Sequence, residues 1–314
     1  VTGPTTAVVV VAFRSAPHLA AGLPALLGDP SVGDVVVVDN SSDPATAAAV
    51  AAAGDRVRYV DPGANLGFAR GCNLGMRLTA DPVVAFVNPD VLLVRPLTDL
   101  VRACADGDAA VLGGGLTETP DGEVLGNARR RVTLVHELGR AVLGSRVSEL
   151  PVPVGAGTRA VDQVDGALLV ARRDVLEALG GFDERFELYF EDVDICDRAR
   201  AVGGVLLDTR RFGVHAGGSS ARTVAGTSYC VFRTSRVRYL RKRYGTAGAV
   251  AGLAITAAET LARAVTRQPE GGLVRRRALA MVLREVLRPG RAQVLPARPA
   301  PRRAPAAAQG GAEA

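Results

Sequence analysis

The sequence predicts an α/β fold, a mostly parallel central sheet flanked by helices, with a C-terminal helical extension. Three observations carry this. Short β-branched runs recur through the first hundred residues. Helical patterns of crossover length separate them, as parallel strands require. From Ser228 onward the pattern is helical, broken by Gly245 and a Pro269–Gly272 linker.

Element by element, Ala7–Phe13 reads as a buried strand, Pro17–Leu27 as a helix and Val35–Val38 as a second strand ending at Asp39. A helix over Pro44–Ala53, a strand at Val57–Val60 and a helix from Phe68 to about Thr79 follow. Val83–Val87 is a fourth strand, closed by Asn88-Pro89-Asp90. Residues 114–162, rich in Gly, Pro and Arg, read as a hairpin and an irregular excursion. Order returns with a strand at Val164–Val170, a helix near Arg173–Leu179 and a turn-rich aromatic stretch from Phe182 to Phe190. Glu191–Val202 reads as a helix, and Val205–Leu207 and Phe212–Val214 as short strands. Beyond Pro289 the Pro/Ala/Arg composition predicts a disordered tail. The expected division is a catalytic domain over 1–225, a basic helical extension over 226–288 and a tail over 289–314.

The 314 residues can bury a sizeable core, and 48% hydrophobic with 22% charged residues is ordinary for a globular protein. The net charge of +6 is unevenly spread. Residues 1–221 hold 20 basic and 28 acidic residues, whereas residues 222–314 hold 18 basic and 4 acidic ones. A basic extension on an acidic body predicts an anionic partner for the extension, a phospholipid surface, a diphosphate-linked acceptor or nucleic acid. Two clusters stand out, Arg233–Arg243 and Arg275-Arg276-Arg277. The four cysteines show no CxxC spacing, so neither a zinc site nor a disulfide framework is indicated. The first residues lack a signal-peptide pattern, and no window reaches the ~20 apolar residues of a spanning helix. A cytoplasmic location is expected, peripheral on the inner face of the plasma membrane.

In parallel sheets, ligands bind beyond the carboxyl ends of the strands, where Asp39 and Asp90 stand. A carboxylate at Asp39 suits a nucleobase or ribose, and Ser41, Ser42 or Asp43 equally suits an N-cap. Asp90 suits a divalent cation on a diphosphate, and Asn88-Pro89-Asp90 is equally ordinary turn chemistry. Gly63–Asn73 enters a helix and matches neither a P-loop nor a dinucleotide fingerprint. Glu191 and Asp192 open a helix, where a carboxylate can serve as general base or simply complement the helix dipole. His215 precedes Ala216-Gly217-Gly218-Ser219-Ser220, where an imidazole can bind metal or phosphate.

Taken in order, VVVVDNSS at 35–42, GANLGFARGCNLG at 63–75, FVNPDV at 86–91, VDGALLVARR at 164–173, GGFDERFELYFEDVDICDR at 180–198 and His215 resemble the family 2 inverting glycosyltransferases. The rhamnosyltransferase-like branch, which acts on lipid-linked cell-wall or surface-polysaccharide precursors, is the nearest likeness. The resemblance spans about residues 7–220 and implies a GT-A fold. It places Asp39 on the donor nucleoside, Asn65, Arg70 and Asn73 beside the base and ribose, and Asn88 near Asp90. It gives Asp90 and His215 to a divalent cation, Mg2+ or Mn2+. Asp192 becomes the general base with Glu191 beside it, and Gly166 and Ala167 line the cleft. The family's commoner Asp-x-Asp stands here as Asn88-Pro89-Asp90, and a neutral Asn is the weaker cation ligand.

The implied reaction transfers a sugar, with L-rhamnose from dTDP-rhamnose first among donors, to a hydroxyl of a glycan or polyprenyl-diphosphate-linked acceptor. A soluble natural-product acceptor and a non-catalytic sugar-nucleotide-binding protein are the alternatives, and the intact Glu191-Asp192 pair argues against the second. A nucleotidyltransferase would want a Gly-rich basic loop after the first strand, where Arg14-Ser15-Ala16-Pro17 stands instead. No nucleic-acid-binding motif accompanies the basic extension, so no nucleic-acid partner is expected.

Overall fold

The computed structural model describes residues 4–105, 112–124, 127–143, 150, 152, 154–155, 157–215, 225–265 and 272–290. The first half comprises β1 (Thr6–Ala12), α1 (Ala16–Leu27), β2 (Val32–Asp39), α2 (Pro44–Ala52), β3 (Val57–Val60), α3 (Phe68–Arg77), β4 (Val83–Val87) and β5 (Val91–Leu93). Next come α4 (Thr98–Ala105), β6 (Leu112–Glu118), β7 (Ala128–Arg129), α5 (Leu134–Leu143), β8 (Thr158–Ala160) and β9 (Gln163–Val164). The remainder is β10 (Leu168–Arg172), α6 (Arg173–Ala178), α7 (Glu191–Val202), β11 (Val205–His215), α8 (Ala225–Val265) and α9 (Gly272–Leu287).

The main sheet runs β3-β2-β1-β4-β10-β6-β11-β5, with β8 paired to β11. β3, β2, β1 and β4 are mutually parallel, and β6 pairs parallel with β11. β10, β5 and β8 pair antiparallel with their neighbours. All seven residues of β1 are buried, because helices cover both faces of the sheet. Alternation divides its side chains between two cores. Val8 and Val10 join Leu19, Leu23 and Leu26 of α1, and Val9 and Val11 join Cys72 of α3 and Ile195 of α7.

Three differences from the sequence reading matter. The stretch taken as irregular contains the helix α5. The strand expected at Val164–Val170 is two, β9 and β10, interrupted where Gly166 and Ala167 face the site. The two short strands after Gly203 are one, β11, whose register against β6 shifts near Arg211. That irregularity is held by Asp208, fully buried and paired with Arg210, which also reaches Asp99 at 2.7 Å. The glycine-serine run 216–220 and the tail from 291 lie outside the described residues.

Helix α8 is two arms broken at Gly245 (φ 65°, ψ −151°). The first arm runs beside α9, with Val237 against Val282 and Arg238 bonded to Glu285 at 3.1 Å. The second arm folds back on the first, so tightly that a Cβ at Gly252 would meet Val237 at 2.8 Å. Tyr239 and Leu240 of the first arm pack on Phe186, Phe190 and Val193 of the α/β body.

This packing corrects the reading of the Arg233–Arg243 cluster. Arg236 is fully buried and bonds Glu259 at 2.8 Å, Thr256 at 2.7 Å and Glu137 at 3.4 Å. Arg238 meets Glu187 at 3.6 Å, Lys242 meets Asp183 at 2.7 Å and also Asp194, and Arg243 meets Asp197 at 2.7 Å. The anionic partner of this cluster is the acidic body of its own chain. One stretch within α8, Gly226–Ala262, contains an 18-residue window of mean hydropathy 1.2, only 33% of it buried. Glu259 lies in that stretch and is held between Arg233 and Arg236 of the first arm.

Candidate active site

A cavity of about 490 Å³ opens beyond the β4 end of the sheet. Asn88, Gly166, Ala167, Glu191, Asp192 and His215 line it, together with Gln163, Arg129, Arg130, Arg140, Phe68 and Phe232. Its size suits a sugar-sized ligand with a few convergent polar groups.

Sheet register builds the Asp90–His215 pair. β5 pairs antiparallel with β11, placing His215 opposite Val91. Asp90, one residue earlier, therefore meets the imidazole, with Oδ1 and Nε2 3.2 Å apart. Asn88 donates its backbone N–H to the Ala167 carbonyl at 2.9 Å, which ties the Asn-Pro-Asp turn to the β9–β10 interruption. Among the described residues no group of three or more His, Cys, Asp or Glu converges for a metal.

Asp192 is placed by strain and by two backbone donors, the Val193 N–H on Oδ1 at 2.8 Å and the Gly166 N–H on Oδ2. Tyr189 and Phe190, immediately before α7, both adopt left-handed backbone conformations (φ 65° and 70°). Such geometry costs about 1–2 kcal/mol per non-glycine residue. Packing offsets that cost, with Phe190 5.3 Å from Phe232 and 5.6 Å from Tyr239, and Tyr189 5.6 Å from Phe232, ring to ring. The turn delivers Glu191 into a buried position and Asp192 to the cavity wall, where the Gly166 N–H donates to Asp192 Oδ2 at 3.1 Å. Burial pushes the Asp192 carboxyl up to about 6, aided by the nearby Asp165 carboxylate and opposed by the Val193 and Gly166 N–H groups and Arg129. Glu191 is raised well above the carboxylate range by burial first and by Asp192 second. Burial thus raises both carboxyls of the pair, each disfavouring the ionised form of the other.

The donor-side residues stand differently. Asp39 is fully buried and both oxygens are engaged, Oδ1 by Ser41 N–H and hydroxyl, Oδ2 by the Asp43 N–H and Tyr59 hydroxyl, each at 2.5–2.9 Å. It holds the β2–α2 turn, and Asp43 is the N-cap of α2, accepting from the Ala45 N–H at 3.0 Å. Asn73, expected beside the base and ribose, clamps a turn in this structure. Its amide bonds Phe182 N–H and carbonyl, both at 2.9 Å, and Glu184 at 3.1 Å, because α3 presents this face to the Gly180-Gly181-Phe182 turn. Arg70 is drawn to the same Glu184 at 3.6 Å. Asn65 accepts from the Gly67 N–H at 3.0 Å and shapes the entry to α3. Gly67 itself has φ 79°, and a side chain there would run into the Glu187 carbonyl. None of Asp39, Asn65, Arg70 and Asn73 lines the cavity described above.

Residues 7–161 match the glycosyl transferase family 2 profile. Over 216 residues the chain is 31% identical to N-acetylglucosaminyl-diphospho-decaprenol L-rhamnosyltransferase of Mycobacterium tuberculosis, covering 62% of this chain and 70% of that protein. The chain belongs to glycosyltransferase family 2. The glycosyltransferase is also 26% identical to a low-salt glycan biosynthesis hexosyltransferase of Haloferax volcanii, over 54% of each chain. A mannosyltransferase from Pyrobaculum calidifontis, solved in complex with GDP-Man and Mn2+, shares its fold with a TM-score of 0.53 at 19% identity, over 92% of this chain and 82% of that one. The sheet of this glycosyltransferase is thus a GT-A sheet, as the motif order implied.

Several cavity residues carried no local signal in the sequence. Gln163, on β9, is buried with its Oε1 lacking a protein hydrogen-bond partner, as is one Glu191 oxygen. Both residues line the cavity, and both orphaned oxygens are buried. Arg129 pairs with Asp165 at 2.9 Å, and Arg140 with Glu137 at 2.7 Å while lying 4.9 Å over the Phe232 ring. Phe232 comes from α8, so the glycosyltransferase builds part of its cavity from the helical extension.

Proposed function

We propose that this glycosyltransferase is inverting and moves a sugar from a nucleoside-diphosphate donor to a hydroxyl of a glycan carried on a polyprenyl diphosphate. The likeness to an L-rhamnosyltransferase of Mycobacterium tuberculosis supports L-rhamnose as the sugar, and dTDP-rhamnose is the proposed donor. The setting would be cell-wall or surface-polysaccharide assembly at the cytoplasmic face of the membrane. The observation that carries the reading is Asp192, a cavity carboxylate fixed by the Gly166 N–H and titrating near 6.

In the proposed step the acceptor hydroxyl oxygen attacks the anomeric carbon as the bond to the diphosphate oxygen breaks. Asp192 takes the hydroxyl proton, and the Gly166 N–H keeps its other oxygen aimed. Glu191 and Gln163, each with a side-chain oxygen that has no protein partner, would bond sugar hydroxyls. No carboxylic acid need protonate the leaving group, since a nucleoside diphosphate departs as a stable anion. Asp90 and His215, 3.2 Å apart, would hold a divalent cation through one hard oxygen and one imidazole. Mg2+ or Mn2+ held there would neutralise charge on the departing diphosphate. Asp39 supports the nucleoside end through the turn it braces.

The deciding experiment incubates the chain with dTDP-rhamnose and a short-chain N-acetylglucosaminyl-diphospho-lipid, with product anomer read by NMR. A rhamnosyl product of inverted configuration supports the reading. Nucleotide-sugar turnover on a panel of other donors, with none from dTDP-rhamnose, would reassign the sugar. Transfer only to soluble aglycones would reassign the acceptor.

A further inference from the structure

We infer that the outer face of α9 is a docking surface for an anionic lipid bilayer. At about 100° per residue, Leu273, Arg276, Arg277, Ala280, Leu283, Arg284, Leu287 and Arg288 fall within one arc of about 140° on α9. All eight are exposed. Leu273, Leu283 and Leu287 are 82%, 44% and 71% exposed, large apolar side chains that a water-facing helix has no reason to carry together. The opposite face is fully engaged, with Ala278 and Val282 buried and Glu285 paired to Arg238.

Charge selects the occupant. In the first arm of α8, Arg236, Arg238 and Arg243 are bound to acids of the body, whereas Arg276, Arg277, Arg284 and Arg288 have no ion-pair partner among the described residues. Leucines between guanidinium groups on one helical face suit the headgroup boundary of an anionic membrane, where apolar side chains enter and cations meet lipid phosphates. The placement also suits the substrate. α9 packs on the α8 arm that supplies Phe232 to the cavity, so a bilayer on α9 lies one helix away from the acceptor wall. The inference rests on the lipid-linked acceptor reading for its purpose, but its test is independent of any sugar.

The test is flotation of the full chain with phosphatidylcholine vesicles and with vesicles containing phosphatidylglycerol, without substrates. Binding to the anionic vesicles, weakened by salt, is expected. Arg276→Glu with Arg277→Glu is expected to lower the partition coefficient roughly 25-fold, at about fivefold per arginine. Leu273→Ser with Leu287→Ser should also release the protein, while transfer to a water-soluble acceptor stays unchanged in both variants. Equal binding to neutral vesicles, no binding to either, or wild-type binding by the variants would overturn the inference. So would a dimer in solution that the leucine variants dissociate, because the face would then belong to a second copy. Failure of every acceptor in the activity assay, with flotation intact, would sink the function and leave this surface standing.

Discussion

Asp192→Asn separates catalysis from stability. The buried carboxylate is disfavoured, its pKa raised from 3.8 to about 6 by burial and then by Asp165. Each unit corresponds to about 1.4 kcal/mol, so the ionised wild type carries a folding penalty of up to about 3 kcal/mol. Cavity water reduces this, and about 1–3 kcal/mol is the working figure. The sign follows from proton binding. Below about pH 4 both folded and unfolded Asp192 are protonated and there is no penalty. Between about 4 and 6 the unfolded chain releases its proton first, so wild-type stability falls with rising pH and then levels. Asparagine does not titrate and can still accept from the Gly166 N–H. The variant should therefore match wild type in urea unfolding near pH 4 and exceed it by about 1–3 kcal/mol at pH 8. Transfer should fall about 10²–10⁴-fold, with donor binding unchanged in calorimetry. Wild-type kcat should also drop as pH falls through about 6. A variant less stable than wild type at pH 8, or retaining more than about a tenth of the activity, would refute the assignment of the base.

Asp90→Ala and His215→Ala should each weaken Mn2+-dependent donor binding by about 10–100-fold, the range for disturbing a metal site, and less than additively together. Titration calorimetry with and without EDTA checks this, and donor affinity indifferent to EDTA would remove the ion. Phe232→Ala should cost about 2–3 kcal/mol of stability, less than a fully buried Phe, and lower kcat while sparing donor affinity. Phe232→Tyr should restore kcat, since it keeps the ring that braces Tyr189 and Phe190. Gln163→Ala should raise the acceptor or donor KM about tenfold, the cost of one lost hydrogen bond, with thermal stability unchanged or higher because a buried unsatisfied oxygen is removed.

Legibility followed locality. Val57–Val60, Val83–Val87 and Glu191–Val202 were readable to the residue, since β-branched runs bounded by turn residues and an acidic helix start closed by Gly203 are local signals. α5 was not, because Leu134–Leu143 follows an arginine run in a glycine-rich stretch and its stabilising partners, Arg236 and Phe232, lie about a hundred residues on. β11 read as two strands because Asp208–Arg211 is polar, and only the fold reveals that a register shift and an Arg210–Asp208 pair absorb it. At the site, Asp90 with His215 and Glu191 with Asp192 were legible as motifs. Gln163, Arg129 and Phe232 were not, since nothing near them in sequence says that they face a cavity.

The charge asymmetry shows why composition alone misleads about partners. Eighteen basic residues against four acids after residue 221 look like an anion-binding tail. In the fold, Arg236 answers Glu137, Arg238 answers Glu187, and Lys242 and Arg243 answer Asp194 and Asp197 on the helix that begins with the proposed base. The same arm presses Phe232 and Tyr239 onto the left-handed Tyr189–Phe190 turn. A strained turn persists only where its surroundings over-determine it. Relieving that pressure would let the turn relax and carry Asp192 away from the Gly166 N–H. The ion pairs and the aromatic contacts of the first arm of α8 therefore act on one object, the position of Asp192.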